Sequence, residues 1–420
     1  MKTIETKHLT RVKGNGTIAV TCDDAGVTDV KFNIYEGPRL FERLVVGKTP
    51  AEVPGIVSRI CAACSVSHRL AAVRAMESAL CITPPRKVEL LRELLLLGER
   101  IDSHGLHVYT MALPDYLGFP SIAAMMDKFK FEAQIGIEVK KLGKDIIRTV
   151  GGRSIHGENP AIGGFGRYPE KEELVRIKQR AGHFIPFAVK TASLFGELVL
   201  PDLAASDTVF ACIEPGGEGY GFTGETIAVS TKERLSVRDY GQLANEQVKP
   251  HSFCKRSRFK GRPYSVGALA RVTMFGDRLE LRAGEMVERY YNEDWSRNPL
   301  YNNAARALEI LQAVEMIPPL VDEINGLSDP RAVSYAGGEG AAVSAVESPG
   351  GALFHAYELS GGLVRSADIV SPTAQNAEDI ERHCLVAARK LFQRAEEDRI
   401  DDIMNMVVRA YDPCISCSVH

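Results

Sequence analysis

The chain has 420 residues, 45% of them hydrophobic and 25% charged, with a formal net charge of −3. That length buries a large core and keeps a site far from water, and the near-neutral balance gives no global field aimed at nucleic acid or an anionic membrane. No run of about 18 apolar residues occurs, and the opening MKTIETKHLTRVKGNG lacks the apolar core of a signal peptide. The expected location is therefore the cytoplasm, with no membrane span and no nucleic-acid partner.

Two β-prone stretches open the chain, Thr17 to Cys22 and Val27 to Tyr35, separated by the turn former Asp23-Asp24-Ala25-Gly26. Apolar residues then recur at helical spacing from Lys87 to Met111, between Pro84-Pro85 and Pro114. Further helices are predicted from Ala124 to Val150, Glu170 to Phe195, Arg278 to Tyr291, Ala304 to Asn325 and Ala377 to Ala410. A second β-like patch runs from Gly351 to Val370, with Ser360-Gly361-Gly362 as its hairpin turn. Several helices exceed 20 residues, which predicts a bundle. With no internal repeat and no low-complexity linker, the expected class is α+β: mainly long helices in a bundle, with small peripheral β-sheets. The expected organisation is one unit over residues 1–420. Within it, residues 1–60 are β-rich, residues 61–330 form a helical core, residues 331–375 form a β-hairpin region, and residues 376–420 carry a C-terminal helix with a metal motif.

Nine cysteines are present. Cys22, Cys81, Cys212, Cys254 and Cys384 are isolated and read as small buried hydrophobes. The other four form two C-x-x-C pairs: Cys61-Ala62-Ala63-Cys64, followed by His68, and Cys414-Ile415-Ser416-Cys417, followed by His420. Four thiolates that converge on one centre suit a soft metal. A zinc ribbon separates its pairs by about 15–20 residues, whereas 349 residues lie between Cys64 and Cys414. A thioredoxin-like pair would follow a βαβ strand, and neither pair does. Spacing alone thus points to a metal site without naming the metal.

Arg59-Ile60-Cys-x-x-Cys-x-x-x-His near one end, with Asp412-Pro413-Cys-x-x-Cys-x-x-His at the other, resembles the large subunit of the nickel–iron hydrogenases. Supporting blocks span the chain: Asp102 to Tyr109, Gly151 to Gly164, Lys255 to Arg271, Glu347 to Ala352 and Ser371-Pro372-Thr373. The wording is similar to the cytoplasmic multisubunit group, in its sulfhydrogenase, NAD(P)-linked or heterodisulfide-reductase-linked branch. The resemblance implies a Ni–Fe centre with carbon monoxide and cyanide on iron. Cys61 and Cys414 would be terminal nickel ligands, and Cys64 and Cys417 would bridge the metals. A terminal thiolate would take the proton when hydrogen is split. His68 would support a bridging sulfur, Asp412 would orient the site by hydrogen bonding, Thr373 would offer its hydroxyl to a cyanide, and Pro349 would shape the loop around iron. Glu42 and His420, with the backbone near Ile369, would hold a magnesium or iron ion. His104 and His107, three apart on one helical face, serve either packing or proton movement. An iron–sulfur small subunit is the implied partner, with flavin, NAD(P) or heterodisulfide-reductase-type subunits beyond it.

Two positions depart from the family pattern. Its Arg-Val-Glu-Gly motif reads Arg11-Val12-Lys13-Gly14 here. Lys13 would relay protons if desolvation lowered its pKa toward neutrality, would obstruct them as a fixed cation, or would turn away and leave water as the relay. The family's Ala-Pro-Arg-Gly loop reads Ser348-Pro349-Gly350-Gly351, so the guanidinium over the metals is missing. Ser103 also replaces an aspartate found in many members. These departures keep two alternatives beside the hydrogenase reading: a hydrogenase-like redox subunit with slowed or altered chemistry, and a metal-free scaffold, against which the intact cysteine quartet argues.

Overall fold

A computed structural model describes residues 2–5, 8–331, 333, 335 and 337–420. Three antiparallel strands, β1 (Lys2–Glu5), β2 (Gly16–Asp23) and β3 (Gly26–Ile34), form the first sheet. Alternate residues Ile18, Val20, Phe32 and Ile34 are buried, as the period of two requires. The helices follow: α1 (Ser65–Ala79), α2 (Arg86–Leu106), α3 (Lys130–Gly151), α4 (Lys171–Gly196) and α5 (Asn302–Asn325). Helix α5 packs between α2 and α4, and α2 lies along α3. The α2–α3 crossing is close because both sides carry glycine. A Cβ on Gly143 would lie 2.5 Å from the Asp102 nitrogen and 2.6 Å from the Gly98 carbonyl oxygen. Glu170 and Glu173 form a reciprocal cap at the start of α4.

The second large sheet is a meander of β4 (Gly340–Ser348), β5 (Gly351–Ser360) and β6 (Leu363–Val370), with α1 packed on it. Its second turn is the predicted one: Gly361 and Gly362 have φ of 60° and 75°, the pair of positive values a type I′ hairpin needs. Strand β4 and the short strands Ala211–Glu214, Thr226–Val229, Arg234–Ser236, Gln247–Lys249 and Ser252–Arg256 were not anticipated. They carry too few alternating residues to stand out from the loops around them.

The last predicted helix is a correction. Instead of one element there are two, α6 (Pro372–Gln393) and α7 (Ile400–Ala410). Ala395 takes φ 54° and the Glu396 N–H returns to the Leu391 carbonyl, closing α6. The residues there, Arg394-Ala395-Glu396-Glu397, are good helix formers, so propensity does not mark the break. The reversal lets α7 run back to the centre of the molecule. Among the described residues no helix is long and apolar enough to cross a membrane.

Candidate metal centre

One cysteine of each pair caps a helical segment, Cys64 the long α1 and Cys414 a single final turn. Cys61 follows a turn at Ser58–Ile60, Cys64 immediately precedes α1, Cys414 follows α7, and Cys417 lies in the final turn Ile415–Ser418. Their sulfurs all lie within 4.8 Å of one another. The Cys61–Cys414, Cys64–Cys417 and Cys414–Cys417 sulfurs are 3.2, 3.1 and 2.9 Å apart, well beyond a disulfide bond. Bonds of about 2.3 Å from a shared metal reach across such a span. Hydrogen bonds from the neighbouring thiols pull the Cys61 thiol down, whereas Cys414, Cys417, Cys61 and burial push Cys64 up, and burial with Cys414 and Cys61 pushes Cys417 up. Four thiolates this close repel one another, and a cation among them removes that repulsion.

Three segments staple the two chain ends together. The Arg39 guanidinium donates to the carbonyls of Ile60 and Ser416, one beside each pair. Ile415 N–H donates to the Lys13 carbonyl at 2.9 Å, and at Gly14 (φ 125°) a Cβ would stand 2.6 Å from the Ile415 Cβ. Only glycine permits that approach. Thr373 Oγ1 accepts from Cys414 N–H at 2.9 Å.

The Lys13 side chain turns inward. Its ammonium donates to Asp412 Oδ2 at 2.8 Å and to Ser103 Oγ at 3.2 Å. Burial pushes its pKa down, but Asp412 and the Cys414 sulfur outweigh burial and hold it above the ordinary lysine range. Of the three readings open for Lys13, this geometry does not favour the near-neutral relay: desolvation is real, but a carboxylate in contact reverses its effect. Asp412 answers in kind. Burial raises its carboxyl, while His107 and Lys13 more than compensate and keep it ionised. His104 and His107 part company despite sharing a helical face. His107 Nδ1 lies 3.0 Å from Asp412 Oδ1, where the helix widens into a π turn at His107–Ala112, a feature common at functional sites. His104 Nε2 instead meets Glu309 at 2.7 Å.

Pro349 and Gly350 form the two-residue turn between β4 and β5. Lys13, Cys64, His68, Ser103, Pro349, Gly350, Thr373, Asp412, Cys414 and Cys417 are among the residues that wall a cavity of about 20 Å³, room for one water-sized molecule. Among the described residues no guanidinium takes the place of the missing one: those that wall this cavity include no arginine. Arg271 is bound by Glu309 and Glu347, Arg39 by backbone carbonyls, and Arg153 lies by Glu158 at the surface.

At the chain's end, His420 Nε2 lies 3.6 Å from Glu42 Oε1, which also accepts from Ile369 N–H at 2.9 Å. Burial raises the Glu42 carboxyl, but His420 and the Ile369 N–H outweigh it and lower the value.

Two supports escaped the sequence reading. Arg100, Arg271, Glu309 and Glu347 form a buried ion cluster in which Arg100 also donates to the Glu347 carbonyl at 2.5 Å, fixing the hairpin that carries Gly350. Glu99 is the other. Its buried carboxylate accepts from Val66 N–H at 2.7 Å, from Ser67 N–H at 3.1 Å and from the Ser67 hydroxyl, capping the helix that begins at the first pair. The signal was present: Glu99 and Arg100 stand at buried positions of an otherwise leucine-rich face.

Burial pushes Glu99 up to about 7, against those hydrogen bonds. A folded value above the ordinary 4.5 means that the stability it contributes is complete at low pH and is lost as pH rises through about 7. Glu99→Gln cannot ionise and lacks this slope. Between about pH 5 and pH 8 the wild type should lose roughly 2–3 kcal/mol relative to the variant. Denaturation midpoints at the two pH values check this; parallel curves would show that Glu99 does not titrate in the range.

The donor chemistry fits a thiolate-held metal pair, and His68 adds to the fit, since its buried Nε2 has no hydrogen-bond partner among the described residues and its ring lines the sulfur cavity. The family model for nickel-dependent hydrogenases matches residues 39–150 and 221–420. Sulfhydrogenase 1 subunit alpha of Pyrococcus furiosus is 39% identical over 98% of this chain and 96% of its own length. Sulfhydrogenase 2 subunit alpha of the same organism is 38% identical over 99% and 98%. The fold superposes on a NAD+-reducing [NiFe]-hydrogenase in the H2-reduced state with a TM-score of 0.91 and 27% identity, covering 100% of both chains. With the quartet intact, neither alternative, altered redox subunit or metal-free scaffold, is favoured. Motif, cage and likeness over nearly the full length agree that the chain belongs to the nickel-dependent hydrogenase family, as the catalytic large subunit of a nickel–iron hydrogenase.

Proposed function

We propose that Cys61 and Cys414 are terminal nickel ligands and that Cys64 and Cys417 bridge to an iron carrying carbon monoxide and cyanide. Such a centre supplies reversible heterolytic cleavage of dihydrogen. The observation that carries this reading is the meeting of four thiols from opposite chain ends within 4.8 Å. The residues around them divide the remaining work. Cys414 Sγ, beside the Lys13–Asp412 pair, is the site at which a proton is taken up. Asp412, fixed by Lys13 and His107, holds the start of the second motif in register. Thr373 accepts from the Cys414 N–H and so keeps its own O–H to donate into the cavity, toward a cyanide. Pro349 walls the cavity, whose size favours a diatomic substrate over larger molecules. Lys13 acts as a fixed cation there rather than as a relay.

Glu42, His420 and the backbone at Ile369 are proposed to hold a magnesium or iron ion, a role supported by their convergence. Electrons must leave through another chain, because the quartet is the one group of three or more metal-binding side chains among the described residues. An iron–sulfur small subunit fits that need. The subunit names of the sulfhydrogenase relatives and the NAD+-reducing neighbour support a multisubunit assembly. Flavin, NAD(P) or heterodisulfide-reductase-type subunits and a cytoplasmic location complete the proposal. The test is the purified complex: nickel, iron in excess of nickel because the iron–sulfur clusters add to the site iron, infrared bands of carbon monoxide and cyanide, and hydrogen-dependent dye reduction are expected. Absence of both metals would defeat it.

A further inference from the structure

A polar chain leads from the sulfur cage into the β4–β6 sheet. His68 Nδ1 is 3.0 Å from His355 Nε2, and His355 Nδ1 is 2.7 Å from the Tyr357 hydroxyl. His68 lies in the first turn of α1, while His355 and Tyr357 project from one face of β5, two residues apart. The three are exposed by only 0%, 0% and 3%. Neither buried ring touches a carboxylate among the described residues, and an unpaired charge is costly to bury. Each ring is therefore neutral, with one N–H and one lone pair.

Counting hydrogens leaves two arrangements. If the Tyr357 hydroxyl donates to His355 Nδ1, His355 carries its hydrogen on Nε2 and donates to His68 Nδ1. His68 then carries its own hydrogen on Nε2, the atom without a hydrogen-bond partner among the described residues, in a ring that lines the cavity with Cys64 and Cys417. If Tyr357 accepts instead, every hydrogen is reversed and His68 presents a lone pair. The Tyr357 hydroxyl has no second hydrogen-bond partner among the described residues. In the accepting arrangement its O–H would be buried without an acceptor, and buried donors are rarely left so.

We propose that Tyr357 is a positioning residue of the metal centre: through His355 it fixes the tautomer of His68 and makes Nε2–H a hydrogen-bond donor to the cage sulfurs. This rests on the reading of those sulfurs as metal-bound thiolates. A thiolate that accepts a hydrogen bond donates less to its metal, so the reduced state is favoured and the potential rises. Sequence shows none of this, because the tyrosine acts two links away from the metal.

The test compares the assembled complex with its Tyr357→Phe variant, both labelled with 15N-histidine. Phenylalanine keeps the ring and removes only the oxygen. The wild type should show both His68 and His355 as Nε2–H tautomers in 15N NMR. In the variant His355 Nδ1 loses its donor, so the two rings should become a mixture of tautomers. Nickel and iron content should be unchanged, while the carbon monoxide and cyanide bands move to lower wavenumber and the midpoint potential falls. A residue that merely packs would move neither the tautomers nor the bands. An Nδ1–H tautomer at either ring in the wild type would overturn the proposal without recourse to any variant. Unchanged tautomers and bands in Tyr357→Phe would overturn it as well. A wild-type complex without metals or diatomic bands would overturn the functional reading, and with it the sulfur acceptor, whereas a wrong tautomer overturns only the role of Tyr357.

Discussion

Replacing Cys64 by serine should reduce hydrogen-dependent dye reduction to below about 1% of wild type, with nickel content and the carbon monoxide and cyanide bands falling in parallel. Loss of outer hydrogen-bond partners alone costs roughly 10–100-fold at metal sites, and removal of a direct ligand should exceed that. The sulfur is soft and ionises readily; a serine hydroxyl is hard and stays protonated, so it cannot replace a bridging thiolate. The change removes no packing volume of consequence, and the Cys64 carbonyl still accepts from His68 N–H. The fold should therefore survive, as circular dichroism would show. Full metal content in a folded Cys64→Ser complex would remove Cys64 from the ligand set.

Restoring the family pattern at two positions should have an effect of similar size in the opposite direction. Electrostatic groups aimed at a reacting centre are worth about 3–4 kcal/mol in the barrier, around a hundredfold to a thousandfold in rate. Lys13→Glu combined with Gly350→Arg should raise hydrogen oxidation by about 100-fold. The structure gives each change a specific setting. At position 350 a Cβ would meet Pro372 at 3.6 Å, an ordinary contact, so the arginine can start along the cavity wall. At position 13 a carboxylate would replace the ammonium that now lies 2.8 Å from Asp412. Two carboxylates so close share a proton, which turns a fixed cation into an acid–base pair beside Cys414. Neither position supplies a thiolate, so metal content should not change. Hydrogen-dependent dye reduction by the complex, beside its nickel and iron content, measures both expectations. A double variant that keeps metals and fold but gains no rate would show that these residues do not limit turnover.

Much of the site was legible in the chain because ligand chemistry is local. A C-x-x-C pair brings two sulfurs together wherever it occurs, and its repetition beside Asp412-Pro413 and His68 marked the four cysteines before any fold was considered. The long helices and the first sheet were legible for the same reason, since apolar periods of 3.6 and 2 are properties of short windows. Glu42 and His420 came from the resemblance, and the structure brings them to 3.6 Å of each other.

What lay beyond the sequence depends on partners far away in the chain. Whether Lys13 is a relay or a fixed cation turns on Asp412, 399 positions away, whose carboxylate reverses the effect of burial. The divergence of His104 and His107 is set by Glu309 and Asp412, which reach the helix from different directions. The break at Ala395 is invisible to propensity because its residues favour a helix; packing of α7 against the core decides it. Sequence by itself thus determined the fold class, the family and the metal-binding thiols, each encoded in contiguous residues. Only the tertiary structure decided the partners of Lys13, the lack of any other arginine in the cavity wall among the described residues and the histidine–tyrosine chain behind the cage, because a buried polar group takes its state from whatever neighbours the fold delivers.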